Sequence, residues 1–103
     1  MNTIALKEAV VNKLQTVIDP ETNVDVVRMR LVNNLEIDEN GKATYTFRPS
    51  SPLCPIAVPL AMMIIKAIAE VDGITAQDIT VIDYVGAEKL NEMLKEYLEE
   101  YHN

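Results

Sequence analysis

The groups whose types and spacing suit chemistry are Ser50, Ser51 and Cys54 in the middle of the chain and the carboxylates Asp19 and Glu21 near its start. Cys54 is the only cysteine and lies in Arg48-Pro49-Ser50-Ser51-Pro52-Leu53-Cys54-Pro55, which also carries three of the five prolines. A cysteine acts as nucleophile or metal ligand in its thiolate form. Pro49 and Pro52 fix φ and push their predecessors towards extended geometry, so the loop is stiff. Pro59 is tolerated only in a first helical turn, so a helix begins within a few residues of Ile56 and runs to about Val71. Cys54 is thereby expected just ahead of a helix N-terminus, where unpaired amides and the helix dipole favour a thiolate. None of the sixteen Asp and Glu falls between Asn40 and Ala69, whereas Lys42, Arg48 and Lys66 do. These features point to an accessible, readily deprotonated thiol. The competing reading is a small buried hydrophobe whose reactivity is incidental.

The elements that must position these groups follow from periodicity. Ile4, Val10, Val11, Leu14, Val17 and Ile18 recur at helical spacing, which predicts an amphipathic helix over residues 3–18, closed by Asp19-Pro20. Asp19-Pro20-Glu21-Thr22-Asn23 is rich in turn formers, and carboxylates in such a turn are more often solvated than catalytic. Residues from about Val26 to Asp38 read as a strand with Leu31, Leu35 and Ile37 on one face, and Ala43–Arg48 as a second with Ala43, Tyr45 and Phe47 inward. A two-residue Asn40-Gly41 turn would set Ile37 opposite Thr44 and bury the wrong face. A three-residue loop, Glu39-Asn40-Gly41, with a left-handed glycine pairs Ile37 with Ala43, Leu35 with Tyr45 and Asp38 with Lys42.

Asp72-Gly73 ends the central helix, Ile79–Val85 reads as a third strand, and a last amphipathic helix runs from Gly86 to about Tyr101. Its apolar side carries Leu90, Met93, Leu94, Tyr97, Leu98 and Tyr101. Glu88, Glu92, Glu96, Glu99 and Glu100 form a charged, solvated opposite face. The order helix, hairpin, helix, strand, helix predicts one α+β domain over 1–103, a two-layer α/β sandwich with helices on a small mixed sheet. Only Lys66 and Glu70 break the surface of the central helix. Its remaining face therefore needs cover from the C-terminal helix or from a second copy in a homodimer, through Met62, Met63 and Ile65.

A net charge of −7 argues against nucleic acid or anionic membrane as a partner. Arg28 and Arg30 are the nearest thing to a basic pair. One cysteine excludes an internal disulfide and a CxxC redox pair, which fits a reducing compartment. The 13-residue apolar run Leu53–Ile65 is shorter than the ~20 residues a bilayer requires, and no charged-then-apolar leader opens the chain. A soluble cytoplasmic protein is expected.

Asp19-Pro20-Glu21 after a first helix, Val26-Val27 and Leu31-Val32 in the first strand, Ser50-Ser51-Pro52-Leu53-Cys54-Pro55, and a helix closing on Val71-Asp72-Gly73-Ile74 follow one another in a set order. Over roughly residues 5–85 this resembles the small iron–sulfur cluster assembly domain of cytosolic iron–sulfur assembly factors, SufT-like proteins and PaaD-like proteins. The resemblance implies a fold of this element order and a role in maturing iron–sulfur proteins. The family's cysteine maps onto Cys54, its hydroxyl-bearing loop positions onto Ser50 and Ser51, and its acidic turn onto Asp19 and Glu21. The chain departs from the pattern at Arg28-Met29-Arg30-Leu31-Val32, where the family carries an acidic residue and a glycine around Leu-Gly-Leu-Val, and in having serine for threonine in the loop.

One thiolate cannot hold a cluster that normally takes four. No cofactor is therefore expected to be stably bound. If Cys54 ligates iron or a transient cluster, the other ligands come from a second subunit, an apo-client, a carrier protein or small thiols. An adaptor that binds no metal, with a structural Cys54, is the principal alternative. A cysteine-nucleophile enzyme requires a base, and the only histidine, His102, sits on a tail expected to fray, so no enzymatic activity is expected. A closed zinc site lacks ligands. An anion held by Ser50, Ser51 and helix amides is a further alternative.

Overall fold

In the computed structural model, which describes residues 2–102, two alternating strands decide the architecture. The elements are α1 (Thr3–Leu14), β1 (Ile18–Asp19), β2 (Val24–Asp25), β3 (Val32–Ile37), β4 (Lys42–Phe47), α2 (Ala57–Ala69), β5 (Ala76–Val81) and α3 (Ala87–Tyr101). Ala43, Tyr45 and Phe47 of β4 are buried, as are Gln77, Ile79 and Val81 of the parallel β5, while Thr44, Asp78 and Thr80 are exposed. The sheet, in order β3-β4-β5, thus has one apolar face and one wet face, and helices cover the apolar one. The expected α+β class and element order hold. α1 packs on α2 and β3, α2 on β5, and α3 along β5.

The hairpin has the expected three-residue loop. Ile37 lies across from Ala43, the Asp38 N–H donates to the Lys42 carbonyl (3.0 Å), and Gly41 is left-handed at φ 86. Further along, Asn33 faces Thr46 while Glu36 faces Thr44, so Asn34 and Leu35 share the place opposite Tyr45. Asn34, at φ 56, is the extra residue of this bulge, and Leu35 returns to the buried face beside Tyr45.

Several boundaries differ from the sequence pattern. α1 stops at Leu14 because Val17 and Ile18 continue its apolar run into a short second sheet, in which Ile18 pairs with Asp25 and Asp19 with Val24. The expected strand over 26–38 begins only at Val32. Residues 26–30 turn instead, with Asp25 Oδ1 accepting from the Arg28 N–H (2.9 Å) and Arg30 left-handed at φ 59. β5 starts at Ala76 and ends at Val81, so Ile82–Val85 is not strand; Ile82 and Val85 lie exposed beyond it.

A non-glycine residue in the left-handed region costs roughly 1–2 kcal/mol, partly offset by the flexibility glycine adds to the unfolded chain. Arg30→Gly is therefore expected to raise stability by about 0.5–1 kcal/mol, read as a higher urea midpoint at unchanged slope. A lower midpoint would mean that the Arg30 side chain contributes more than its backbone conformation costs.

The central helix begins at Ala57, so Pro59 falls in its first turn as expected. Its cover comes from α1 and the sheet. Ile65, expected at a contact with α3 or a second copy, is fully buried within the chain; Met62 is half-buried and Met63 remains 42% exposed. No helix among the described residues is long and apolar enough to cross a membrane.

Candidate functional site

The loop between β4 and α2 carries the sequence's strongest candidates, and the structure divides them by exposure. Ser50 and Ser51 are exposed, whereas Cys54 is 3% exposed and belongs to the hydrophobic core cluster. The expected accessible thiol is thus enclosed. The turn explains why: the Cys54 N–H donates to the Ser51 carbonyl (3.2 Å) and the Ala57 N–H to the Cys54 carbonyl (3.4 Å), folding residue 54 under the chain as α2 starts. The first helical amide is thereby engaged by a carbonyl. The polar neighbour of the sulfur is the Ser50 hydroxyl, whose Oγ lies 4.0 Å from Sγ.

The exposed serines line a shallow pocket of about 310 Å3 with Arg30, Arg48 and Asp83. Arg48 reaches Asp83 (Nε to Oδ2, 3.1 Å), so a carboxylate from beyond β5 meets the stretch from which the sequence keeps acids away. This pairing offsets the positive charge on which an anion at Ser50 and Ser51 would depend. Arg30 and Asp83 were not foreseen here. The positive φ of both places them at chain reversals, a feature that residue type alone does not announce.

Asp19 and Glu21 are organised by their own turn. Asp19 is 1% exposed; its Oδ1 accepts from the Glu21 N–H (2.8 Å) and its carbonyl from the Asn23 N–H (2.7 Å), while the Glu21 side chain points to solvent. These bonds give the buried Asp19 carboxylate a part in closing the turn. Among the described residues, no hydrogen bond joins either carboxylate to Cys54, and no three His, Cys, Asp or Glu side chains gather at metal-binding distance.

His102, expected to fray, caps α3 and places its Nε2 3.1 Å from Gln77 Nε2. Since that amide nitrogen is a donor, the contact requires Nε2 of a neutral imidazole as acceptor. Partial burial holds the imidazole below its ordinary pKa, in the same direction. Gln77 was not singled out in the sequence. Its Oε1 accepts from the Tyr45 hydroxyl (2.7 Å) and its Nε2 donates to the Ile65 carbonyl (3.0 Å), tying β4, α2 and β5 together. Burial, assisted by the Asp78 charge, pushes the Tyr45 phenol far above its ordinary pKa and keeps it a donor.

Two exposed apolar side chains flank the loop. Leu53 and Val85 are each 75% exposed, and the Val85 N–H donates to the Pro52 carbonyl (2.9 Å), which brings the segment after β5 against the loop.

Comparison with known proteins agrees with this architecture. The chain is 33% identical over 90 residues to an uncharacterised protein of Methanocaldococcus jannaschii, covering 87% of this chain and 95% of that protein. It is 32% identical over 78 residues to the Fe-S protein maturation auxiliary factor YitW of Bacillus subtilis, covering 76% of each. A crystallised domain of unknown function, DUF59, from Bacillus anthracis superposes with a TM-score of 0.72 at 28% identity, covering 94% of both chains. The description "Iron-sulfur cluster assembly protein" applies to the family matched by residues 7–81, and the chain belongs to that family.

Proposed function

We propose that the protein acts in iron–sulfur protein maturation as a docking factor, engaging apo-clients or cluster carriers through the rim of the loop between β4 and α2. In this reading Cys54 stays sealed in the core. The observation that carries it is the contrast at adjacent positions: Leu53 is 75% exposed and joined at the rim by Val85, while Cys54 is 3% exposed. Large apolar side chains presented together mark interaction sites, and a few such residues supply most binding energy. The maturation role named for the Bacillus subtilis relative supports the pathway. The lone cysteine fits work in the reducing cytoplasm.

A second reading, in which Cys54 gives one ligand to iron or a cluster during transfer, is favoured by the Ser50 hydroxyl at 4.0 Å from the sulfur. It requires the loop to be displaced and the remaining ligands to come from the partner, a second subunit or small thiols. Ser50 and Ser51 would then border the cargo, and Asp19 and Glu21 would reach it only by displacement of their own turn.

Anaerobic maturation of an apo-client with iron and sulfide separates the two. Docking predicts that Cys54→Ala retains client maturation within about two-fold, and that Leu53→Asp with Val85→Asp lowers it roughly ten-fold or more at unchanged thermal stability. Loss of maturation in Cys54→Ala, with melting like the parent's, would establish the ligand reading instead.

A further inference from the structure

β5 is an edge strand whose free side is only partly closed. The Val81 N–H donates to Asn91 Oδ1 (2.7 Å) and Asn91 Nδ2 donates to the Val81 carbonyl (3.1 Å), so one side-chain amide of α3 imitates the next strand at that position. On the other side, the Ile82 N–H donates to the Phe47 carbonyl of β4 (3.1 Å). Strand geometry repeats every two residues, so the N–H and C=O groups of Ile79 and Gln77 face the same edge as those of Val81. The register with β4 is unbroken from Ala76 to Val81, and these four groups take no partner among the described residues.

They border a groove of about 700 Å3, with β5 from Ala76 to Thr80 as one wall and Asn91, Lys95, Leu98 and Glu99 of α3 as the other; His102 closes one end, its Nε2 3.1 Å from Gln77 Nε2. An exposed strand edge is a template for pairing, and proteins use it to bind extended peptides through main-chain hydrogen bonds.

We propose that the edge of β5 between Ala76 and Thr80 receives an extended segment of a partner protein as a fourth strand, bonded to the backbone of Gln77 and Ile79. Three observations fix this occupant. α3 runs along β5 beside this edge, so β5 of a second copy would have to bring its own α3 into the same space, which a lone extended segment does not. Asn91 already supplies the strand-like pair at Val81, so the incoming segment continues an existing ladder towards Ala76. Lastly, the lining mixes apolar Ile79 and Leu98 with charges of both signs, Lys42 and Lys95 beside Asp78 and Glu99. Such a lining suits a peptide that carries both apolar and charged residues, and a chain of charge −7 does not favour nucleic acid or an anionic lipid surface. The groove lies towards the Lys42 and Ala76 end of the ladder, away from the Phe47 and Val81 end that leads into the cysteine loop. It stands whether or not Cys54 binds anything.

The test uses short peptides selected from a random display library against the full chain, followed by amide hydrogen exchange. Without peptide, the Gln77 and Ile79 amides are expected to exchange at least ~10-fold faster than those of Asp78 and Thr80; a selected peptide slows both. Lys95→Trp, which fills the groove from an exposed position, is expected to weaken peptide binding by ~10-fold or more, with Glu8→Trp on α1 as the unaffected control. Thr80→Lys repeats the test from the strand side. The proposal is overturned if no peptide is enriched against the parent over Lys95→Trp, or if enriched peptides leave exchange at Gln77 and Ile79 unchanged. Protection of both amides that grows with protein concentration alone would assign the edge to a second copy and equally overturn it.

Discussion

Gly41→Ala is expected to destabilise the protein by about 2–4 kcal/mol, a large effect for one methyl group. Gly41 sits at φ 86, where a β-carbon costs roughly 1–2 kcal/mol. The added carbon would also lie well inside van der Waals contact of the Gly73 carbonyl oxygen, a backbone atom that cannot swing aside. The same place is held by the Thr75 N–H donating to the Gly41 carbonyl (2.9 Å) and the Thr75 hydroxyl donating to the Asn40 carbonyl (2.6 Å). The hairpin tip therefore anchors the start of β5, and displacing it strains the parallel ladder at its first pair, Lys42 with Ala76. Urea denaturation checks this through the midpoint at constant slope. A change below about 0.5 kcal/mol, the range of an ordinary surface substitution, would show that the tip is free to move.

Gln77→Leu is expected to cost about 2–4 kcal/mol, although it replaces a polar core residue with an apolar one. Its removal leaves the buried Tyr45 hydroxyl without an acceptor, which costs ~1–3 kcal/mol, and takes a second donor from the Ile65 carbonyl, which keeps its partner within α2, so that loss is the ~0.5–1.5 kcal/mol of an ordinary hydrogen bond. Because part of this cost belongs to the stranded hydroxyl, adding Tyr45→Phe should restore some of the loss. A double-mutant cycle measures the coupling. Strict additivity of the two substitutions would contradict a shared hydrogen-bond network.

These two positions show what pattern reading reaches and what it misses. The hairpin register was legible because Ile37, Ala43, Tyr45 and Phe47 must share the buried face, and only a three-residue loop with a left-handed glycine permits that. The bulge at Asn34 was not, since an extra polar residue on the wet side leaves the inward pattern nearly intact. Gln77 and Asp78 hid the first half of β5 because polar residues at a strand's start read as loop, and the hydrogen bonds that make Gln77 a core residue come from elements 12 and 32 positions away. Val17 and Ile18 extended the apparent period of α1 although they belong to a turn and a two-residue strand.

At the site, sequence found the loop and missed its exposure. Proline spacing and the onset of α2 located Cys54 correctly ahead of the helix. Whether residue 53 or residue 54 turns outward depends on the turn formed by Ser51, Cys54 and Ala57. Leu53 and Cys54 look equally apolar along the chain; in the fold one faces solvent and the other joins the core. The acid-free stretch was likewise a fact of sequence only, because Asp83 returns to Arg48 from the far side of β5.

The burial of the sulfur separates a docking factor from a protein that offers a ready ligand, and the reaction of Cys54 with a soluble thiol reagent measures it directly. In the folded protein the expected rate is at least ~100-fold slower than in denaturant, because access requires an opening that exposes core. Labelling at a rate close to that of the unfolded chain, under conditions where the fold is intact, would contradict the sealed thiol and return Cys54 to the role of ligand.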